Sequence, residues 1–259
     1  MALLGMAAPG ALRAQPPAAP ANQPVPRTDA NSRLAHAQLL EKARQGVIDI
    51  YFEGDSITRR WGATDYPQLL ANWKENFFGW NAADFGWGAD TTQNILWRLE
   101  NGELDGVNPK IIVLLAGTNN LPRGLAAGGE DATVTDVSAG IGAIVDTLRA
   151  KAPRAILIVT AIFPRNDNMA LMPVIERVNA NLSRLADGRT IRYLNINDKL
   201  ADPASHLYEG MMNPDKLHPA LRGYQVWADA LKPIFTEVLG RPAKEDHAPP
   251  PTGDPSARR

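Results

Sequence analysis

Residues 110–116 read KIIVLLA, an apolar run of strand length, and GTNN follows directly at 117–120. Apolar residues without polar alternation are typical of a strand buried on both faces, as in a parallel sheet. Two further segments have the same character, and two weaker ones complete the set. In chain order, the five predicted strands are Val47–Phe52, Trp80–Phe85, Lys110–Ala116, Ala155–Ala161 and Thr190–Ile196.

The segments between these strands have helical patterns. Their apolar residues recur every three or four positions, which places them on one face of a helix. Five strands that alternate with such segments predict a doubly wound α/β fold. The predicted helices are Asn31–Gln45, Thr91–Asn101, Val134–Lys151, Met169–Ala186 and Pro219–Leu239.

Composition excludes several classes of function. The 27 Lys and Arg nearly balance the 28 Asp and Glu, and this net charge of −1 argues against a nucleic-acid partner. The chain has no Cys, which excludes disulfides, thiolate nucleophiles, iron–sulfur clusters and Cys-based zinc sites. No stretch approaches the roughly 18 apolar residues of a spanning helix, so no membrane span is expected.

Prolines separate the two ends of the chain from its middle. Residues 1–30 hold six and residues 241–259 hold five, so we expect extended, disordered tails around a folded domain at 31–240. The apolar start, which leads to Arg13-Ala14-Gln15, resembles a secretory signal peptide, although no basic residue precedes it. The expected location is therefore secreted or periplasmic. The alternative is an Ala/Pro-rich extension on a cytoplasmic protein.

Polar residues follow the strands at the sheet edge where doubly wound proteins bind their ligands. Gly54-Asp55-Ser56 comes after the first strand, where a serine hydroxyl can act as an acyl-transfer nucleophile. The competing interpretation is a serine that caps a helix. Asn119 comes after the third strand, where its amide can stabilise an oxyanion or simply form a turn.

A serine nucleophile needs a base, and His218 is the best placed histidine. Asp215 lies three residues before it and can reach its Nδ1 atom, which leaves Nε2 for the serine. A helix-capping carboxylate beside a surface histidine is the alternative. A metal site of His206, Asp215 and His218 is disfavoured because no third strong ligand occurs at typical spacing.

The loop at 86–90, GWGAD, lies between the second strand and a helix. Its glycines permit a tight turn, and the helix that follows presents free N–H groups. A phosphate-binding loop is the rival interpretation, but neither Gly-x-Gly-x-x-Gly nor a Walker-type Lys-Ser/Thr occurs.

Taken together, these segments resemble the four blocks of the SGNH (GDSL) hydrolase family. In order they are Gly54-Asp55-Ser56, the 86–90 loop, Gly117-Thr118-Asn119 and Asp215-Lys216-Leu217-His218. The run 84–120 is especially similar to the platelet-activating-factor acetylhydrolase catalytic-subunit branch, and the resemblance covers nearly all of 45–240. It implies a flavodoxin-like three-layer sandwich, with a five-stranded parallel sheet between helices.

The resemblance also implies roles for individual residues. Ser56 would be the nucleophile, His218 the general base and Asp215 the residue that orients it. The oxyanion donors would be the N–H groups of Ser56 and Ala89 and the side-chain amide of Asn119. Ala89 departs from the family's glycine, and we expect its donor to survive with a negative φ. A second departure is Asn120, where many relatives have Asp.

The implied function is ester hydrolysis through an acyl-enzyme, with neither metal nor organic cofactor. We expect short-chain acetyl esters, on a small molecule or a glycan, with Trp61 and Trp87 stacking on a sugar ring unless they are core residues. Alternatives are a lysophospholipase, arylesterase or thioesterase of the same family, a catalytically dead binding module, and, less favoured, a peptidase. The oligomeric state stays open, with a homodimer as one option.

Overall fold

The computed structural model describes residues 19–122 and 129–258. All five predicted strands form, and they join in one parallel sheet with the order β2-β1-β3-β4-β5. This is the strand order of flavodoxin-like doubly wound sheets. The predicted fold class, a three-layer α/β sandwich, is therefore confirmed. The strands are β1 (Ile50–Gly54), β2 (Ala82–Asp84), β3 (Ile111–Leu115), β4 (Ile156–Thr160) and β5 (Ile191–Leu194).

Within the described residues the five predicted helices also form, with ends that differ by a few residues, and three further α-helices were not predicted. The bounds are α1 (Ala30–Lys42), α2 (Ser56–Gly62), α3 (Pro67–Phe77), α4 (Thr92–Glu100), α5 (Glu130–Lys151), α6 (Met172–Ser183), α7 (Asn197–Leu200) and α8 (Leu221–Leu239). Helices α2, α3 and α7 are the unpredicted ones. Helix α3 starts at a proline, which fits the first turn because its missing N–H has no helical acceptor there.

Each face of the sheet is covered by its own apolar core. The first core takes side chains from α1, α4, α5 and α6, and the second from α2, α3, α7 and α8. The second core is rich in aromatic rings, with Phe52 at its centre in contact with Trp61, Trp73, Phe77 and Trp227. Helices on both faces explain why the strands are continuously apolar.

The C-terminal segment corrects the expectation of a disordered tail after residue 240. Residues 241–258 pack along the domain, where the N–H of Ala243 donates to Gly79 O (2.9 Å) and the carbonyl of His247 accepts from Val47 N (2.8 Å). Gly79 has a positive φ of 85°, and a Cβ there would collide with the Ala243 backbone. The proline count led to the wrong prediction for this segment. Prolines remove hydrogen-bond donors, but they also lower the entropy of the unfolded chain, so that ordering the segment costs less free energy.

Residues 249–251, which are three prolines, line a cavity of about 280 Å³ together with the edge strand β2. At the other end of the chain, residues 19–29 also pack on the domain, so the folded unit is longer than 31–240 on both sides. The signal-peptide prediction falls mainly on residues 1–18, which lie outside the described residues.

Within 19–122 and 129–258, no helix is long and apolar enough to cross a bilayer. The same residues contain no group of three or more His, Asp or Glu side chains that could hold a metal ion.

Candidate active site

The site forms where the strand order reverses, at the carboxyl ends of β1 and β3. Doubly wound sheets leave a crevice at this point, because their connections run to opposite sides. Strand β1 ends at Gly54, where a Cβ would collide with Thr58 and with the carbonyl of Leu115. Asp55 then caps α2 by accepting a hydrogen bond from Ile57 N (2.9 Å). Ser56 is the first residue of α2, and its side chain lies at the rim of the sheet.

The structure brings three predicted residues into one hydrogen-bonded chain. Ser56 Oγ lies 2.9 Å from His218 Nε2, and His218 Nδ1 lies 2.8 Å from Asp215 Oδ2. The second carboxylate oxygen of Asp215 accepts the backbone N–H groups of Leu217 (3.1 Å) and His218 (3.0 Å). This geometry fixes one imidazole tautomer and leaves Nε2 to take a proton from the serine.

The charges around His218 favour its neutral form. Burial lowers the pKa of His218, and the nearby guanidinium of Arg60 lowers it further, although Asp215 acts in the opposite direction. For Asp215, burial opposes ionisation. The hydrogen bonds from His218 and Leu217 outweigh it and bring the pKa of Asp215 to about 2. The pair is thus a neutral base beside a carboxylate, the arrangement that general-base catalysis needs.

Arg60 connects the nucleophile's helix to this pair, since its Nη1 lies 3.3 Å from Asp215 Oδ2. We expect Arg60→Gln to shift the acid limb of the kcat/KM profile to higher pH. The active form holds neutral His218, and removal of the cation raises the pKa of His218, so more base is lost at any acidic pH. The measurement is kcat/KM for p-nitrophenyl acetate between about pH 4 and pH 8.

Lys110→Gln is the matched control, because it also removes one positive charge. Lys110 is paired with Asp49 at the amino ends of β1 and β3, whereas the site lies at their carboxyl ends. Its acid limb should coincide with that of the unmodified enzyme. A limb that stays in place or moves to lower pH in Arg60→Gln would contradict the electrostatic role of Arg60.

Asn119 lies at the same rim, on the loop after β3. Gly117 starts this loop with a φ of 111°, and a Cβ there would come within 2.8 Å of the Ile141 side chain. One amide hydrogen of Asn119 is used by the carbonyl of Asp90 (2.9 Å). The amide has two hydrogens, so one remains for a substrate oxygen.

The departure at Asn120 has a structural role. Its Oδ1 accepts from Thr92 N (2.9 Å), and its Nδ2 donates to Thr92 Oγ1 (2.9 Å) and Gln93 Oε1 (2.8 Å). Asn120 therefore ties the Asn119 loop to the start of α4. An ionised Asp could not donate to these two groups as the Asn120 amide does.

The backbone at Ala89 differs from our expectation of a negative φ. Its φ is 63°, in the left-handed region that costs a residue with a Cβ about 1 kcal/mol or more. The local turn is closed by Asp90 N, which donates to Trp87 O (3.3 Å), while Trp87 N donates to Gly54 O (3.1 Å). The loop is therefore strained at Ala89 and is held to the strand that precedes Ser56.

We expect Ala89→Gly to raise the free energy of unfolding by about 1 kcal/mol with kcat close to that of the unmodified enzyme, since glycine adopts this φ without strain. Urea unfolding and steady-state kinetics measure the two effects. Ala37→Gly, on the exposed side of α1, should lower stability by a similar amount. A tenfold lower kcat in Ala89→Gly would show that the methyl group itself orders the loop.

The prediction that Trp61 and Trp87 stack on a sugar ring is wrong, and the alternative of buried residues holds. Trp61 is fully buried in the second core, and its Nε1 donates to Asn72 (2.9 Å). Trp87 is only 8% exposed, its Nε1 donates to Ser32 (2.9 Å), and the Arg59 guanidinium lies 4.8 Å from its ring centre. The aromatic core encloses the ring of Trp61, and Trp87 is held by Ser32 of α1 and Arg59 of α2.

Two arginines near the rim were missed by sequence reasoning. Arg165 follows β4, and its Nη1 donates to the carbonyl (3.2 Å) and the hydroxyl (3.1 Å) of Thr118, next to Asn119. Arg98, on α4, is buried and donates to Gly54 O (3.3 Å), to Phe85 O (2.9 Å) and, through Nε, to Asp90 (2.7 Å). The strand-end rule that selected Ser56 also selects Arg165. No local signal marks Arg98.

The chain also matches a known protein family. Residues 52–226 match the GDSL-like lipase/acylhydrolase family. The chain belongs to this family. The match spans more than half of the chain, and it identifies the protein as a hydrolase of ester bonds.

Individual relatives extend the match beyond these bounds. The chain is 28% identical to platelet-activating factor acetylhydrolase IB subunit alpha1 of Bos taurus over 91% of this chain and 97% of the relative. A putative acylhydrolase from Bacteroides fragilis has the same fold, with a TM-score of 0.62 and 21% identity over 82% of this chain and 99% of that one. A carbohydrate esterase family 3 structure from Talaromyces cellulolyticus superposes with a TM-score of 0.50 and 16% identity, over 74% of this chain and 97% of that one.

Proposed function

We propose that this GDSL hydrolase is a serine esterase that removes short acyl groups, chiefly acetyl, from carbohydrate esters. The observation that carries the proposal is the hydrogen-bonded chain Ser56–His218–Asp215 beside the amide of Asn119. A nucleophile, a base, an orienting carboxylate and an oxyanion donor at one rim are the groups that acyl transfer requires.

In the proposed first step, Ser56 Oγ bonds to the carbonyl carbon of the ester while His218 Nε2 takes the hydroxyl proton. The carbonyl π electrons move to the oxygen, which the N–H groups of Ser56 and Ala89 and the amide of Asn119 stabilise. The intermediate then breaks its bond to the leaving alcohol, and His218 returns the proton to that oxygen. In the second step a water molecule gives a proton to His218 and attacks the acyl carbon. The bond to Ser56 Oγ then breaks, His218 returns the proton to Ser56, and the acid is released. No metal or organic cofactor takes part in these steps.

A groove that carries amide and phenol groups supports a carbohydrate as the alcohol part of the substrate. Pro164, Asn195 and Asn197 follow β4 and β5, and they line a groove of about 620 Å³ at the same edge of the sheet. Tyr193 and Tyr208 line it too, and Tyr208 is 43% exposed. Amide and phenol groups form hydrogen bonds with hydroxyl groups such as those of a sugar, and the tyrosine rings can pack against its apolar faces.

The acetyl group of an ether phospholipid is the second candidate. It is favoured by the long match to the Bos taurus relative, whose name states that it is a platelet-activating factor acetylhydrolase. Both candidates share the acetyl group and differ in the alcohol. The apolar run that leads to Arg13-Ala14-Gln15 supports a secreted or periplasmic enzyme, where polysaccharide esters are available.

The deciding experiment compares kcat/KM for acetylated xylo-oligosaccharides, an acetylated ether phospholipid, and p-nitrophenyl esters from two to ten carbons. We expect p-nitrophenyl acetate to exceed the decanoate, and the glycan to exceed the phospholipid. A preference for the decanoate would replace this proposal with a lipase. Failure to hydrolyse any ester would favour a binding module on the same fold.

The groove provides an internal control for the glycan. Tyr208→Ala should raise KM for the oligosaccharide and leave p-nitrophenyl acetate unaffected, because the small ester does not reach the groove. Equal effects on both substrates, or none on either, would remove the groove's support for the carbohydrate.

A further inference from the structure

Residues 19–29, here called the N-terminal arm, form a turn at 20–23 and then cross the start of α4. The arm lies outside the stretch that matches the family, 52–226. It is anchored by backbone contacts, since Thr92 Oγ1 donates to Ala21 O (2.7 Å), Asn94 Nδ2 donates to Val25 O (2.9 Å) and Val25 N donates to Gln93 O (3.0 Å). Such contacts fix the path of a segment that sequence composition assigned to a tail.

Arg27 of the arm contacts the loop that carries Ala89. Its Nη1 donates to the carbonyl of Gly88 (3.0 Å) and to Asp90 Oδ1 (3.2 Å), the residues on either side of Ala89. Asp29, the N-cap of α1, holds the other side of the guanidinium, with Oδ2 lying 3.1 Å from Nη2. Arg27 therefore bridges the cap of α1 and the loop at the active site.

The loop needs such support because Ala89 is strained. A left-handed residue with a Cβ persists only where the surrounding structure fixes it. The carboxylate of Asp90 is fully buried and receives both arginines, with Oδ1 taking Arg27 and Oδ2 taking Arg98 at 2.7 Å. The main-chain oxygen of Asp90 also accepts the amide of Asn119 (2.9 Å). The position of Asp90 thus sets two of the three donors for the oxyanion.

We propose that Arg27 is a positioning residue for catalysis, supplied by the N-terminal arm, which holds Ala89 and Asn119 in their oxyanion-binding geometry. The inference rests on the proposed esterase mechanism, and it extends the catalytic unit to residues before the family match. Arg27 touches no reacting atom. It acts through Gly88 and Asp90, so its removal misplaces donors without deleting them.

The test compares Arg27→Gln, Arg27→Lys and Arg33→Gln in the full chain. Arg33 is a matched control, because it is an exposed arginine of α1 that donates to the arm's Thr28 carbonyl (2.6 Å) and, among the described contacts, not to the 86–90 loop. For p-nitrophenyl acetate we expect Arg27→Gln to lower kcat about tenfold with KM within about twofold, less than the 10²–10³-fold loss of a deleted donor. Arg27→Lys should recover part of kcat, since an ammonium reaches one of the two acceptors.

A boronic acid provides a second readout. Its adduct with the serine is tetrahedral at boron and places an oxygen where the oxyanion of the intermediate would lie. The inhibition constant of phenylboronic acid should rise by the same factor as kcat/KM falls across the three variants, as expected for lost transition-state binding. Arg33→Gln should match the unmodified enzyme in both measurements.

Several outcomes would overturn the proposal. They are an unchanged kcat with a lower Tm in Arg27→Gln, a change in KM alone, or equal losses in Arg33→Gln. If Arg27→Gln does not fold, Arg27→Lys is the test, and the proposal then requires a lower kcat with KM little changed. Ser56→Ala separates this inference from the mechanism. A dead Ser56→Ala with a fully active Arg27→Gln rejects only the role of Arg27, whereas an active Ser56→Ala rejects the mechanism itself.

Discussion

Ser56→Ala is expected to lower kcat for p-nitrophenyl acetate by roughly 10⁴-fold or more, the size of loss seen when a serine nucleophile is removed. The fold should remain, because within the described part of the chain the side chain of Ser56 bonds only His218, and Asp55 rather than Ser56 caps α2. Steady-state kinetics and a thermal unfolding curve measure the two effects together.

Ser138→Ala is the control, since this serine lies within α5 and its hydroxyl accepts a hydrogen bond from Asn181 Nδ2 of α6 (3.1 Å). It should match the unmodified enzyme. A folded Ser56→Ala protein that keeps more than a few per cent of kcat would assign the nucleophile to another group and reject the mechanism.

Asn119→Ala is expected to lower kcat by about 10²–10³-fold, or roughly 3–4 kcal/mol, with KM little changed. The amide acts on charge that develops only in the transition state, so ground-state binding does not report its loss. Asn119 also donates to Asp90 O, and this contact predicts a small fall in Tm in addition. Measurement of kcat, KM and Tm in one protein preparation separates the two roles.

A stable Asn119→Ala enzyme with near-normal kcat would leave the oxyanion to the backbone groups of Ser56 and Ala89. A large fall in Tm with a mixed kinetic effect would instead make Asn119 a turn-forming residue. Asn120→Ala is the useful comparison, because it removes the link to α4 and leaves the amide of Asn119 in place. It should lower Tm more than Asn119→Ala does.

The strands and the order of the site residues could be read from the sequence, because apolar runs and strand ends are local features. Ser56 and Asn119 were placed at one rim by this rule, and His218 was selected by elimination among four histidines. Their distances could not be read, since they depend on how α2, α8 and the loops pack. The roles of these residues stay predictions until the variants are measured.

Other features depend on contacts between distant segments. The sign of φ at Ala89 follows from the arginines that hold its neighbours, and residue type gives no indication of it. Trp61 is a core residue because α3 and α8 close over it, although it lies only five positions after Ser56. The packing of residues 241–258 could not be predicted from composition for the same reason. Its partners are Gly79, Val47 and Thr64, far away in the chain.

The packing of the last residues along β2 has a consequence for synthesis on the ribosome. Strand β2 is the outer strand next to β1, and it is made about 160 residues before the segment that later packs beside it. During translation at about 5–20 residues per second, that edge waits unshielded for many seconds and is open to pairing with other chains. The three prolines at 249–251 line the cavity beside it and add no strand, because they have no N–H to extend the ladder. A chain that stops near residue 240 would keep every residue of the proposed site and yet retain the aggregation-prone edge of a nascent polypeptide.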